Sequence, residues 1–153
     1  MASKPSEVIE MLKQSYSMEI ETVMNYLANS IHLDGVRAEE IKKVLAADVN
    51  EELMHATMLG NRIKQLGGSV PGSLSVAFSQ QQLQPPEDST DVVGVISAVV
   101  EAEHQAVEQY RKIIRATEGD DYVTQDLCVK LMTDEEQHLV LFKGFRKEYA
   151  KDV

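Results

Sequence analysis

Four stretches of this 153-residue chain carry apolar residues at the helical period, and each series breaks near its middle at an ionisable residue. The first, from about Ser6 to Leu33, follows Ile9, Leu12, Tyr16, Val23, Tyr26 and Ser30, and breaks at Glu19. The second, from about Ala38 to Leu66, follows Ile41, Leu45, Leu59, Ile63 and Leu66, and breaks at Glu52 and His55. The third follows Val92, Ile96, Val100, Val107, Tyr110 and Ile114 until Gly119, and breaks at Glu103. The fourth starts near Asp120 or Asp121, follows Leu127, Leu131, Phe142, Phe145 and Tyr149, and breaks at Glu135 and His138. A stripe at this period marks the face a helix buries. No stretch reads as a strand, so the expected fold is all-α, with four Glu and two His directed inward.

The connections fix how the helices are arranged. The turn Leu33-Asp34-Gly35-Val36 closes the first helix, and Gly67-Gly68 stops the second. Asp88, Ser89 and Thr90 are cap candidates for the third. Two connections are only a few residues long, whereas GGSVPGSLSVAFSQQQLQPPEDS separates the second helix from the third. Short turns make antiparallel neighbours, so the pattern predicts two helical hairpins joined by one long crossover, a four-helix bundle. Residues 1–153 are expected to form a single domain.

The interruptions share a chemistry. In EELMH and EEQH, Glu52 with His55 and Glu135 with His138 stand three residues apart, on one helical face. Glu19 lies 33 residues before Glu52, and Glu103 lies 32 before Glu135. Each of those two Glu is also followed, after six residues, by a tyrosine: Tyr26 and Tyr110. One hairpin design is therefore used twice. Four carboxylates packed together in an apolar interior repel one another and lose hydration unless cations balance them. Two divalent ions bridged by some of the carboxylates meet that need. Carboxylate oxygen with imidazole nitrogen suits iron or manganese, and zinc also accepts such donors.

With these residues in place, the chain resembles the ferritin-like di-iron carboxylate proteins, most closely bacterioferritin and the helical domain of rubrerythrin. DDYVTQD before the fourth helix and LGGSVPG after the second are also bacterioferritin-like. The resemblance implies Glu19 and Glu103 as terminal ligands, Glu52 and Glu135 as bridges, and His55 and His138 each on one metal. It implies two iron ions per chain and places Tyr26 as a hydrogen-bond partner or redox-active side chain. Haem is not expected, because Leu53 stands where bacterioferritin has its haem-ligating Met. Only 15 residues follow His138, so the short fifth helix of the large ferritin shells is not expected either. Rubrerythrin's Cys-liganded iron domain is not expected, since Cys128 is the one cysteine of the sequence. The implied function is oxidation of Fe(II) with O2 or peroxide, an oxidoreductase activity that an external electron donor can sustain. Iron storage or buffering in a small oligomer, and oxidation of an organic substrate, are the alternatives.

Other residues take plainer readings. Glu101 and His104 form a third Glu-x-x-His pair off the stripe, expected in solvent, with Glu101 as reserve ligand to Glu103. Glu21 and Glu136 are expected on the surface, and His32 exposed near a turn. Met18, Met24, Met54 and Met58 are read as core filling, Tyr110 as a core aromatic on a carboxylate, and Cys128 as a small buried hydrophobe. A net charge of −10 argues against a nucleic-acid coat. The apolar run at 92–100 falls far short of the roughly 20 residues a membrane span needs. With one cysteine and no basic leader before an apolar core, a cytoplasmic location is expected. A homo-oligomer, at least a dimer, is expected by analogy.

Overall fold

Four α-helices account for nearly all the regular structure of the computed structural model, which describes residues 3–152. They are α1 (Pro5–His32), α2 (Glu39–Gln65), α3 (Val92–Thr117) and α4 (Tyr122–Tyr149), and no strand occurs among the described residues. Single 3₁₀ turns at Val36–Ala38 and Ala150–Asp152 flank α2 and α4. The boundaries follow from local chemistry. Pro5 opens α1, where its missing N–H costs nothing. At the end of α2, Gly67 N–H donates to Lys64 O (3.0 Å) and Gly68 N–H to Ile63 O (2.9 Å), a Schellman turn with Gly67 at φ +86°. Asp121 caps α4 by accepting from Thr124 N–H (3.0 Å) and also holds Arg62 of α2 (2.8 Å). The cap of α3 is Asp91, which accepts from Gly94 N–H at 3.0 Å. The expected candidates, Asp88 to Thr90, instead close the turn before it, with Asp88 accepting from both the amide and hydroxyl of Thr90.

The helices pack as the hairpins α1–α2 and α3–α4, joined through α1 against α3 and α2 against α4. Their interior is divided. One apolar cluster includes Leu33, Ile41, Leu45, Ile96, Val99 and Phe142, and the other includes Leu12, Leu59, Ile63, Ile113, Cys128 and Leu131. The ionisable residues lie at the level between them. Truncating a side chain such as Leu45 or Ile63 to Ala costs roughly 2–5 kcal/mol, so each cluster clamps the polar layer from one end.

In α1 the buried line differs from the expected stripe. It runs Val8, Leu12, Ser15, Glu19, Thr22, Tyr26 and Asn29, while Ile9, Tyr16 and Val23 are only half-buried. Small polar residues can take these places because the helix backbone accepts their hydrogen bonds, as Ser15 Oγ–H donates to Met11 O. A second polar line on α1 explains the crossover. Buried Glu21, expected at the surface, accepts the backbone N–H groups of Ser79 and Gln80, each at 2.8 Å. Asn25 Nδ2 donates to Gln80 Oε1, Asn29 Nδ2 to Leu83 O, and exposed His32 bonds Pro86 O. The crossover therefore runs along α1 on a polar ladder and drops Leu83 into the core. Met24 and Met54 are not core filling: both are exposed, beside Leu27, Ile31 and Leu53, and leave an apolar outer face on the first hairpin. No helix among the described residues is long and apolar enough to cross a membrane.

Candidate metal centre

All four helices bring an acid to the middle level. Glu19, Glu52, Glu103 and Glu135 are each at most 3% exposed, and His55 (2%) and His138 (8%) join them. Glu101 and His104 lie exposed on α3, so the register places Glu103 inside. The six buried residues fall into two donor groups whose ligand atoms lie within 4.8 Å of one another. One group is Glu19, Glu52, His55 and Glu135, and the other is Glu52, Glu103, Glu135 and His138.

Glu52 and Glu135 belong to both groups, and their oxygens are divided between them. Glu52 sets Oε2 at 3.2 Å from His55 Nδ1 and Oε1 at 3.3 Å from His138 Nδ1. Glu135 sets Oε1 at 3.0 Å from His55 Nδ1 and Oε2 at 3.2 Å from His138 Nδ1. Glu19 serves the His55 side alone (3.9 Å) and Glu103 the His138 side alone (3.6 Å). Two shared and two unshared carboxylates, with one imidazole per side, match the donor set of two adjacent hard cations.

The histidine orientations point the same way. Each presents Nδ1 to the carboxylates and turns Nε2 outward: His55 Nε2 to Asp134 Oδ2 (3.1 Å) and His138 Nε2 to Glu51 Oε2 (2.9 Å). A neutral imidazole so held donates Nε2–H to the outer acid and keeps a lone pair on Nδ1 for a metal. Asp48 adds a third outer acid, with Oδ1 3.8 Å from His138 Nε2. The sequence reading missed these three. Its available signal was the acid pairs Glu51-Glu52 and Asp134-Glu135, repeated in both hairpins, though the contacts cross from one helix to the other.

The tyrosines are also exchanged between hairpins. Tyr26 of α1 donates to Glu103 of α3, and Tyr110 of α3 donates to Glu19 of α1. Both rings are fully buried, so Tyr110 is the core aromatic on a carboxylate that was expected and also the geometric counterpart of Tyr26.

The electrostatics define what the site needs. Burial, with the charge of Glu52 adding to it, pushes the Glu19 carboxyl up to about 8. Burial and the charges of Glu19, Glu103 and Glu52 raise Glu135 well above the carboxylate range. Burial also acts upward on Glu52, but its close neighbours Glu19, His138 and His55 outweigh it and hold that carboxyl low. Burial acts to lower both histidines, yet hydrogen bonds with the surrounding glutamates win and raise them. Burial first, and then the glutamate charges, raise both tyrosines, which stay protonated donors. Both Glu52 oxygens are buried and receive no hydrogen bond. Four carboxylates carry four negative charges, and two divalent cations would balance them without protons. The residues present fit a di-metal pair.

Comparison with known proteins agrees with this architecture. The family model for the ferritin-like domain matches residues 9–150. A DNA protection during starvation protein from Pyrococcus furiosus is 28% identical over 140 residues, covering 90% of this chain and 75% of that protein. A bacterioferritin from Desulfovibrio desulfuricans is 23% identical over 142 residues, covering 92% and 75%. Among solved structures, a ferritin-like di-iron carboxylate protein from Bacillus anthracis superposes with a TM-score of 0.80 at 21% identity, covering 95% of this chain and 99% of that one.

Proposed function

The chain belongs to the ferritin-like domain family, and on that premise we propose that it binds two Fe(II) ions as substrate and oxidises them with O2 or peroxide. The observation that carries the reading is the division of the Glu52 and Glu135 oxygens between the two histidines. Glu19 with His55, and Glu103 with His138, complete the two positions. Bound iron would supply the electrons, two Fe(II) giving two electrons to the oxidant, and manganese or zinc suits the same donors.

The protein's own part is positional and electrostatic. Glu52 and Glu135 would be shared by both ions, while Glu19 and Glu103 would each serve one. Asp134 and Glu51 fix the imidazole tautomer, and Tyr26 and Tyr110 restrain the unshared carboxylates. Tyr26 is in addition our candidate for a redox-active side chain. The two apolar clusters keep bulk water from the site.

Anaerobic titration of metal-free protein with Fe(II), followed by a pulse of O2 or peroxide, tests this. One iron per donor group, oxidised in the wild type and lost in Glu52→Gln and Glu135→Gln, is the expected result. Tight binding with no oxidation would leave a metal-stabilised bundle instead.

Iron storage in an oligomer is the second reading, and the apolar outer face of the first hairpin favours assembly. Met24, Leu27 and Ile31 on α1 and Leu53 and Met54 on α2 are 48–71% exposed, a density that an isolated chain in water does not favour. We propose that this face pairs two chains in the cytoplasm. Native mass distinguishes a dimer from a shell, and continued iron uptake beyond the two positions distinguishes storage from turnover.

A further inference from the structure

Away from the metal centre, a groove of about 1180 Å³ runs between α1, α3 and the first half of the crossover. Its two sides differ in kind. The crossover from residue 67 to residue 86 contains no charged residue and offers the groove the hydroxyls of Ser69, Ser75 and Ser79. This arch is pinned at one end by Glu21 and at the other by Gly68, where an added Cβ would meet Ile9 and Ile63 side chains at 2.8 and 2.9 Å. The helical side is cationic, carrying Lys13, Arg111, Lys112 and Arg115 against only Glu10 and Glu108.

Both acids are already neutralised: Glu10 by Lys13 at 3.2 Å, and Glu108 by Arg111 in a close ion pair. Lys112 and Arg115, one turn apart on α3, make no ion pair among the described residues. The groove thus inverts the sign of a chain that carries 25 acids against 15 basic residues. Uncompensated cations facing neutral hydrogen-bond donors form a setting for an oxyanion, with Arg115 able to grip two oxygens at once. Met11, Met18 and Val70 add apolar lining beside the charged wall. A bare inorganic ion would leave that lining unused.

We propose that this groove binds a small phosphate-bearing molecule, its phosphate on Lys112 and Arg115 and its apolar body against Met11, Met18 and Val70. The proposal is independent of the iron reading. It is tested by isothermal titration of the full chain with phenyl phosphate and with inorganic phosphate, at constant ionic strength set with chloride. The same titrations are made on Lys112→Ser/Arg115→Ser, with metal content matched between the two proteins. Both substituted side chains are exposed, so helical content and melting temperature should stay unchanged and show that the variant is folded.

Saturable binding of phenyl phosphate, weakened at least about tenfold in the variant, is the expected result. Tighter binding of phenyl phosphate than of inorganic phosphate identifies an organic monoester as the ligand class. Equal binding of the two, lost in the variant, keeps the phosphate site but overturns the organic ligand. Absence of saturable binding, or binding indifferent to the double substitution, overturns the site itself.

Discussion

Loading the centre with metal should expel protons in a number that the structure sets. The four buried carboxylates can be balanced either by two divalent cations or by protons. When metal is withheld, protons are expected on the groups whose affinity for them is raised, Glu19, Glu135, His55 and His138. Binding needs neutral Nδ1 on each imidazole and ionised carboxylates, so all four protons must leave. With Glu19 raised to about 8, that carboxyl is mostly protonated at pH 7. Release should therefore exceed about two protons per metal pair at pH 7. At pH 9 Glu19 has mostly lost its proton already, and release should fall by about one. The assay is calorimetric titration with a divalent ion that does not change oxidation state, such as Zn(II), in two buffers of different protonation enthalpy. The difference in apparent heat counts the protons. Glu19→Gln should shrink the pH 7 to pH 9 difference. Release of fewer than about two protons at pH 7, or no difference between the two pH values, would refute the charge-balance argument.

The same groups make the stability of the metal-free protein depend on pH. Glu19 and Glu135 have folded values raised above the ordinary 4.5, so they bind protons more readily folded than unfolded, and stability falls as pH rises from there toward 8. The raised histidines act in the same direction from about 6.5 upward. The gap in melting temperature between metal-loaded and metal-free protein should therefore widen from pH 5.5 to pH 8, and a constant gap would count against it. Glu21→Ala should strip the acceptor from two crossover amides and cost roughly 1–3 kcal/mol in urea unfolding, with faster proteolysis near Ser79. Glu21→Gln, which keeps one acceptor, should lose less. Asp121→Ala removes the α4 cap and an ion pair with Arg62, and should cost about 1–2 kcal/mol. Burial acts upward on Asp121, but Thr124 and Arg62 outweigh it and hold its carboxyl low. Its contribution should be intact above about 4 and fade as pH falls below that, which acid titration of the wild type and the variant can compare.

The sequence by itself determined the four helices, their two hairpins and the level of the ionisable layer. It could do so because these depend on periodicity and spacing within one helix: Glu52 and His55 share a face whatever surrounds them. The duplicated spacing also led to Glu19 and Glu103, since two copies of one hairpin must meet at one height. It misjudged residues whose environment comes from elsewhere in the chain. Glu21 has the composition of a surface residue and is buried only because the crossover lies across it and needs an acceptor. Met24 and Met54 have the composition of core residues and face outward because the bundle uses another side of each helix. Only the tertiary structure decided that Asp134 holds His55 and Glu51 holds His138, and that Tyr26 and Tyr110 reach across to each other's hairpin. Hydrogen bonds between side chains on different helices depend on interhelical distance and rotation. Those are set by the packing of the two apolar clusters, and no pattern within a single helix encodes them.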